Sequence, residues 1–293
     1  MRYVDTHHRS NYLKGQILKY RTSKGNGGQH EEMERIITTG NDYRPDAGSV
    51  CLGVSCCLRR LSAGREVRVV LMSNVQLIHG DCMEYMATLP DKAFELAIID
   101  PPYGIGFDGH DQIIGKKGND KGFSSKKLYD IKEWDKDRPT IEYFAELKRV
   151  SKNQIIWGGN YFADLLQPTK GWIYWDKKPN GENLTFSDGE LAWTSFNKPL
   201  KSFSYGWIGF GMLNSGERKI HPTQKPVALY QWLLKNYAKQ GDKILDTHLG
   251  SGSSAIAADI MGFDFVGLEI DKDYYEAALD RFNRHKQQLV LEF

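Results

Sequence analysis

From Met72 to the C-terminus the sequence predicts an α/β protein with a mostly parallel central sheet. Short apolar runs that suit buried strands alternate there with longer segments of helical period. One run, Glu95 to Ile99, is stopped by Asp100, Pro101 and Pro102. Another, Lys243 to Thr247, leads into a glycine turn that opens a small-residue helix.

The strands follow in order. VQLIH (75–79), LAIID (96–100), QIIWG (154–158), GWIYWD (171–176), ELAWTSF (190–196), KILDT (243–247) and FVGLEI (265–270) are bounded by turn residues or by helical segments. Pro226 opens a helix with Val227, Tyr230, Leu234 and Tyr237 on one face, spaced three and four apart. A second helix follows Asp271, with Tyr275, Leu279 and Phe282 on one face. Both faces are expected to pack on the sheet. Two stretches break the alternation. Residues 104–138 are too long for a simple connection and read as a functional loop. Residues 197–223 are irregular and mix Lys198, Lys201, Arg218 and Lys219 with Phe203, Tyr205, Trp207 and Phe210.

Residues 1–71 read differently. They carry an excess of Lys and Arg, Gly25, Gly27 and Gly28, and no sustained helical or alternating period. They are expected to be a flexible or non-native extension, and 72–293 the working domain. The 293 residues are 40% apolar and 26% charged, the composition of an ordinary globular protein. A formal net charge of only +2 gives no whole-molecule basic field, so a nucleic-acid partner would need a local patch. No run of 18 apolar residues suggests a membrane span, and the polar start MRYVDTHHRS does not read as a signal peptide. Cys51, Cys56, Cys57 and Cys82 lack paired CxxC spacing, which argues against zinc and for a reduced, cytoplasmic setting.

KILDTHLGSGSSAIAA (243–258) carries the first ligand signal. Gly250 and Gly252 let a ligand approach backbone N–H groups where a helix begins. Seventeen residues after Gly252 the next strand ends in Glu269, placed to accept from ribose hydroxyls. The spacing also fits a dinucleotide fingerprint, G-x-G-x-x-A, ending at Ala255. Two features separate the readings. Asp246 would be repelled by a pyrophosphate but could meet an ammonium group. Only 41 residues follow Gly252, too few for a fold whose glycine strand comes first. The dinucleotide reading loses.

DPPY (100–103), HPTQKP (221–226) and DTHLGSG (246–252), in that order, resemble the amino-group DNA methyltransferases, in the subgroup whose DPPY motif precedes the S-adenosylmethionine motif. The resemblance spans residue 75 to about 285. It implies a Rossmann-like methyltransferase fold with permuted motif order, and S-adenosyl-L-methionine as cofactor. By the same resemblance Asp246, Gly250, Gly252 and Ser253 would line the cofactor's methionine end. Glu269 would hold its ribose and Asp81 its adenine, and Thr223 and Lys225 would lie near its carboxylate. The plain alternative for Asp81 and Asp271 is a helix-capping acid. Asp100, Pro101, Pro102 and Tyr103 would form the target-base pocket.

DPPY suits that chemistry. An exocyclic amine is a poor nucleophile because its lone pair is delocalised into the ring. Accepting both amine hydrogens frees the lone pair, and Asp100 and the stiffly held Pro101 carbonyl can each accept one. Tyr103 can stack on a base that has left the duplex, and positioning and electrostatics then supply most of the rate. Methylation at cytosine C5 would need a cysteine after a proline, which the chain lacks. Cytosine N4 uses the same pocket, often with Ser first, so Asp100 favours adenine N6.

Lys116, Lys117, Lys121, Lys126 and Lys127, opposed only by Asp120, are expected to contact phosphates of double-stranded DNA; a solvated lysine loop is the plain alternative. Residues 197–223 would be a short target-recognition region. A homodimer and a cognate restriction enzyme are left open as partners. The rival readings are an RNA or protein-glutamine methyltransferase, which more often has Asn at position 100, and a non-catalytic DNA-binding relative, which intact motifs disfavour.

Overall fold

A computed structural model describes residues 17–25, 28–36, 56–60, 66–71, 73–106, 132, 134–178, 187–207 and 216–291. The chain divides into two units, Met1–Ser73 and Asn74–Phe293. In the first, β1 (Ile17–Gly25), β2 (Gly28–Ile36), β3 (Cys56–Arg60) and β4 (Glu66–Leu71) form an antiparallel sheet of order β2-β1-β4-β3. The sequence, lacking an alternating period there, did not signal these strands.

The second unit is built on eight strands. They are β5 (Val75–His79), β6 (Phe94–Ile99), β7 (Ser151–Trp157), β8 (Trp172–Asp176), β9 (Gly189–Thr194), β10 (Lys201–Ser204), β11 (Lys243–Asp246) and β12 (Asp264–Glu269). Their order is β10-β8-β9-β7-β6-β11-β12-β5. β9 is antiparallel to both its neighbours, and the remaining pairs are parallel. All seven predicted strands form, with ends shifted by three residues at most. The edge strand β10 escaped prediction because its four residues, KSFS, offer no apolar run.

The parallel strands are nearly continuous apolar runs because both faces of the sheet are covered. Alternate residues serve opposite layers. Leu96 and Ile98 of β6, Ile155 and Trp157 of β7 and Ile244 of β11 pack in one core. Ala97, Ile99, Ile156 and Leu245 pack in the other. The first core is capped by α3 (Val227–Tyr237), α4 (Ser253–Met261) and α5 (Lys272–Leu291). The second lies under α2 (Ile141–Val150), with Met86 of the short α1 (Cys82–Ala87). Leu229, Tyr230, Leu233, Leu234 and Tyr237 are the buried residues of α3. In α5 the buried face is Tyr274, Ala278 and Phe282, centred one residue before the predicted Tyr275 and Leu279.

The topology places the site. β5 stands at one edge, yet the next strand, β6, lies beyond β12 and β11. The register pairs Ile244 with Leu96 and Leu245 with Ala97. Motifs far apart in sequence, DPPY after β6 and the glycine turn after β11, therefore emerge side by side at the C-terminal edge of the sheet, where such sheets bind ligands.

Candidate active site

Pro101 and Pro102 have no N–H, so the chain leaving β6 cannot continue a ladder. The next two donors need an acceptor. Asp135, buried near the end of the stretch 104–138, supplies it: its Oδ1 accepts from Tyr103 N at 2.7 Å and Gly104 N at 2.9 Å. The Tyr103 ring stacks on Tyr161 with centroids 4.8 Å apart and meets the edge of Phe162. Both come from the 3-10 turn Gly159–Phe162 that follows β7.

Asp100 is the end of a charged chain. Its Oδ1 accepts from the Tyr103 hydroxyl at 2.7 Å, and its Oδ2 receives the Lys225 ammonium at 2.5 Å. Lys225, 4% exposed, also lies 3.0 Å from Glu190 Oε2, and Glu190 Oε1 accepts from Lys177 at 2.8 Å. Burial pushes the Asp100 carboxyl up, while Lys225 draws it down and the charge of Glu190 adds to the rise. Burial also opposes charge on Glu190, but Lys225 and then Lys177 hold its carboxyl down at about 2. Burial works against the Lys225 ammonium as well; Asp100 and Glu190 outweigh it and hold its pKa above the ordinary lysine value.

At the second motif, β11 ends in the buried Asp246. Its Oδ1 accepts from His248 N at 3.0 Å and its Oδ2 from the Ser254 hydroxyl at 2.6 Å. Burial lifts its pKa to about 7. Gly252, at φ +74°, precedes α4 and packs against Ala278 of α5. Gly250 N donates to Glu269 Oε2 at 2.8 Å, and Asp271 N donates to Glu269 Oε1 at 3.0 Å. Ser253 is buried, and its hydroxyl accepts from Arg281, which also reaches Ser251 O and Glu217.

HPTQKP is anchored by Gln224, which accepts from Ile220 N through its side chain and from the Trp207 indole through its carbonyl. Pro226 then begins α3 as its N-cap. Thr223 N donates to His221 Nδ1 at 3.3 Å. Burial, followed by the nearby Lys225, holds the pKa of His221 down at about 3, so its ring is neutral.

These parts enclose a cleft of about 170 Å³, partly open to solvent. Asp100, Pro102, Thr223, Lys225, Gly250 and Glu269 line it together. Residues 94–280 match the model of the N6/N4 methyltransferase family, DNA methylase. The chain belongs to this DNA methylase family. Type II methyltransferase M.HinfI of Haemophilus influenzae is 26% identical over 255 residues, covering 72% of this chain and 68% of its own length. Type II methyltransferase M2.DpnII of Streptococcus pneumoniae is 24% identical over 249 residues, covering 72% and 90%. Among solved structures, an M1.HpyAVI–SAM complex is 20% identical with a TM-score of 0.46, covering 71% of this chain and 99% of that one.

In this DNA methylase the remaining residues predicted for the cofactor and the base pocket are not among those that line the cleft. Pro101, Tyr103, Asp246, Gly252 and Ser253 lie outside its lining. Asp81 is the N-cap of α1, its Oδ1 accepting from Met83 N at 2.6 Å and Glu84 N at 3.2 Å. Its turn sits beside the end of β12, where Gly80 N donates to Glu269 O. Asp271 accepts from Asp273 N and Tyr274 N at the start of α5, the capping role weighed for it, and also pairs with Lys132 at 2.7 Å. Lys116, Lys117, Lys121, Lys126 and Lys127 lie outside the described residues. Sequence reasoning missed Glu190, Asp135 and two further residues that line the cleft, Trp134 and Tyr274. Of these only Glu190 lay on a predicted strand, as its first residue. Among the described residues no group of His, Cys, Asp and Glu is placed to hold a metal ion, and no helix is long and apolar enough to cross a membrane.

Proposed function

We propose that this methylase transfers a methyl group from S-adenosyl-L-methionine to the N6 amino group of adenine in double-stranded DNA. The observation that carries the reading is the Asp100 carboxylate, fixed by Lys225 and the Tyr103 hydroxyl, at a cleft it shares with Gly250 and Glu269.

The cleft's chemistry suits the cofactor. Each Glu269 oxygen accepts one backbone N–H, which leaves a lone pair on each for a ribose hydroxyl. Asp100, Glu269 and Asp271 offer negative charge to a sulfonium cation. Thr223 and Lys225 stand at the methionine end with Gly250, while Asp246, Gly252 and Ser253 shape the turn behind it. Asp81 serves the adenine end while it caps α1. When bound, S-adenosyl-L-methionine supplies an electrophilic methyl group.

Asp100 keeps a second lone pair on each oxygen while Tyr103 and Lys225 donate to it, so it can still accept an amine hydrogen. The Pro101 carbonyl takes the other. Because the Lys225 ammonium faces the carboxylate, Asp100 acts as an acceptor that draws charge out of the amine. Cys82 supports an amino target over a carbon target. Burial, followed by the charge of Asp81, pushes its thiol up to about 12, which disfavours a thiolate nucleophile. Asp rather than Ser at position 100 supports adenine over cytosine N4. Residues 116–127 would neutralise phosphates beside the extruded base, and 197–223 would read the target. Cytoplasmic action, dimerisation and pairing with a restriction enzyme belong to the same proposal.

The test is transfer of tritiated methyl from labelled cofactor to DNA, RNA and protein in parallel, followed by nucleoside analysis. N6-methyladenine is expected, and Asp100→Ala should abolish it while calorimetry still shows cofactor binding. N4-methylcytosine would overturn the base assignment. Label in RNA or protein alone, or no label anywhere, would overturn the DNA reading.

A further inference from the structure

Glu190 lies outside DPPY, HPTQKP and DTHLGSG, yet it is the second carboxylate on the ammonium that holds Asp100. We propose that Glu190 is a positioning residue for methyl transfer: by sharing Lys225 with Asp100, it keeps Asp100 a strong acceptor for the target amine. The inference rests on the methyl-transfer reading of Asp100.

The geometry is a four-member chain of alternating charge. Asp100 meets Lys225 at 2.5 Å, Lys225 meets Glu190 at 3.0 Å, and Glu190 meets Lys177 at 2.8 Å. It is assembled from four places: the end of β6, the segment before α3, strand β9, and the residue after β8. The antiparallel strand β9 is what brings Glu190 to this end of the sheet, since its register sets Glu190 against Trp175. A lysine bound to Asp100 alone would form a full ion pair and draw electron density from the oxygen that must accept the amine hydrogen. Glu190 competes for the same ammonium. Lys177 in turn limits that competition by occupying the other Glu190 oxygen.

Other charges face the chain, and none replaces Glu190. Asp246 at the end of β11 and Tyr230 of α3 lie near enough to feel the charge of Asp100. His221, held neutral, neighbours Lys225 and Lys219, and Lys219 neighbours Lys177. Asp246 titrates near neutral pH, so the test must follow the Asp100 carboxyl itself.

Two substitutions push the chain in opposite directions. Glu190→Gln leaves Lys225 wholly to Asp100, so the Asp100 titration midpoint should fall. Lys177→Met frees Glu190 to take more of Lys225, so the midpoint should rise. Both are read by 13C carboxyl titration of Asp100, which needs no turnover. In parallel, Glu190→Gln should lower kcat about tenfold, with cofactor affinity from calorimetry within about twofold of wild type. Opposed midpoint shifts support the proposal. Shifts in one direction, or none, overturn it, as does an unchanged kcat in Glu190→Gln. Should one variant not fold, the sign of the other decides. A wild-type protein that methylates no DNA would overturn the functional reading, and the carboxyl titration would still decide the chain.

Discussion

Gly158 offers the sharpest test of how the pocket is held. It sits at φ +68°, immediately after β7, and faces the Tyr103 ring. A Cβ there would lie 2.2 Å from Tyr103 Cε1 and 2.6 Å from both Cδ1 and Cζ. Carbon atoms pack at roughly 3.5–4.0 Å, so the ring would have to move by about 1 Å or more. It cannot move freely, because Tyr161 stacks on it, Phe162 meets its edge and its hydroxyl is tied to Asp100. In Gly158→Ala the left-handed backbone costs about 1–2 kcal/mol and overpacking adds about 1–3 kcal/mol. The sum is about 2–5 kcal/mol. For a unit of this size that corresponds to a fall in Tm of about 4–20 °C. Displacing Tyr103 disturbs Asp100, and a shift of about 1 Å near the chemistry costs on the order of 100-fold in rate. Gly241→Ala is the matched control: its φ of +93° carries the backbone strain, but nothing lies within 4 Å of its Cβ. Thermal melts and initial rates of methyl transfer on both variants decide the matter. If Gly158→Ala matches Gly241→Ala in both Tm and rate, the idea that this glycine seats Tyr103 is wrong.

Lys225→Met should take the shared ammonium from two partly buried carboxylates, leaving Asp100 with the Tyr103 hydroxyl and Glu190 with Lys177, and cost about 3 kcal/mol in chemical denaturation; unchanged stability would show that the pair is not the anchor. Gly252→Asp adds a Cβ 3.3 Å from that of Ala278, strains φ +74° and brings a negative charge to the glycine turn. It should weaken cofactor binding about tenfold or more by calorimetry, and wild-type affinity would remove the turn from the site. Asp246 makes a pH prediction. Its folded pKa of about 7 lies above the ordinary 3.8, so the folded protein binds an extra proton between those values. Its contribution to stability is present at low pH and is lost as pH rises towards 7. Asp246→Asn should therefore gain on wild type by up to about 4 kcal/mol between pH 4 and pH 8, in denaturation curves without cofactor. A difference independent of pH would mean that Asp246 is not buried as a carboxyl.

The strands of the sheet were legible because each is a short apolar run ending in a turn signal, and burial of both faces makes such runs continuous. The glycine turn and DPPY were legible for a related reason: each is a local solution, in consecutive residues, to ending a strand in a special way. What stayed hidden is what the sheet brings together across distance. Asp135 satisfies the Tyr103 and Gly104 N–H groups from the far side of a long loop. Arg281 of α5 ties Ser251 and Ser253 to Glu217, whose other oxygen accepts from Val227 N at the start of α3. Neither contact leaves a spacing in the sequence. Asp81 and Asp271 show the reverse limit. A capping acid and a ligand-binding acid have the same sequence signature, and both residues do cap helices here.

The order of the motifs along the chain matters less than the order of strands in the sheet. The site needs the end of β6 beside the end of β11, and it needs β9 reversed so that Glu190 reaches Lys225. Both conditions are met by strand pairing: Ile244 with Leu96 in one case, Trp193 with Ile156 in the other. β11, α4 and β12 form a consecutive block that enters the sheet between β6 and β5. A right-handed crossover lets each parallel strand of that block pack without knotting the chain. The block could therefore precede or follow the rest in sequence and deliver the same neighbours. The constraint falls instead on the ions gathered around the buried Lys225. Asp100, Lys225, Glu190 and Lys177 come from four separate segments, and removing Lys225 takes from Asp100 and Glu190 the ammonium they share. Within this unit, then, the charged chain ties the catalytic half of the sheet to its antiparallel strand more tightly than sequence proximity does.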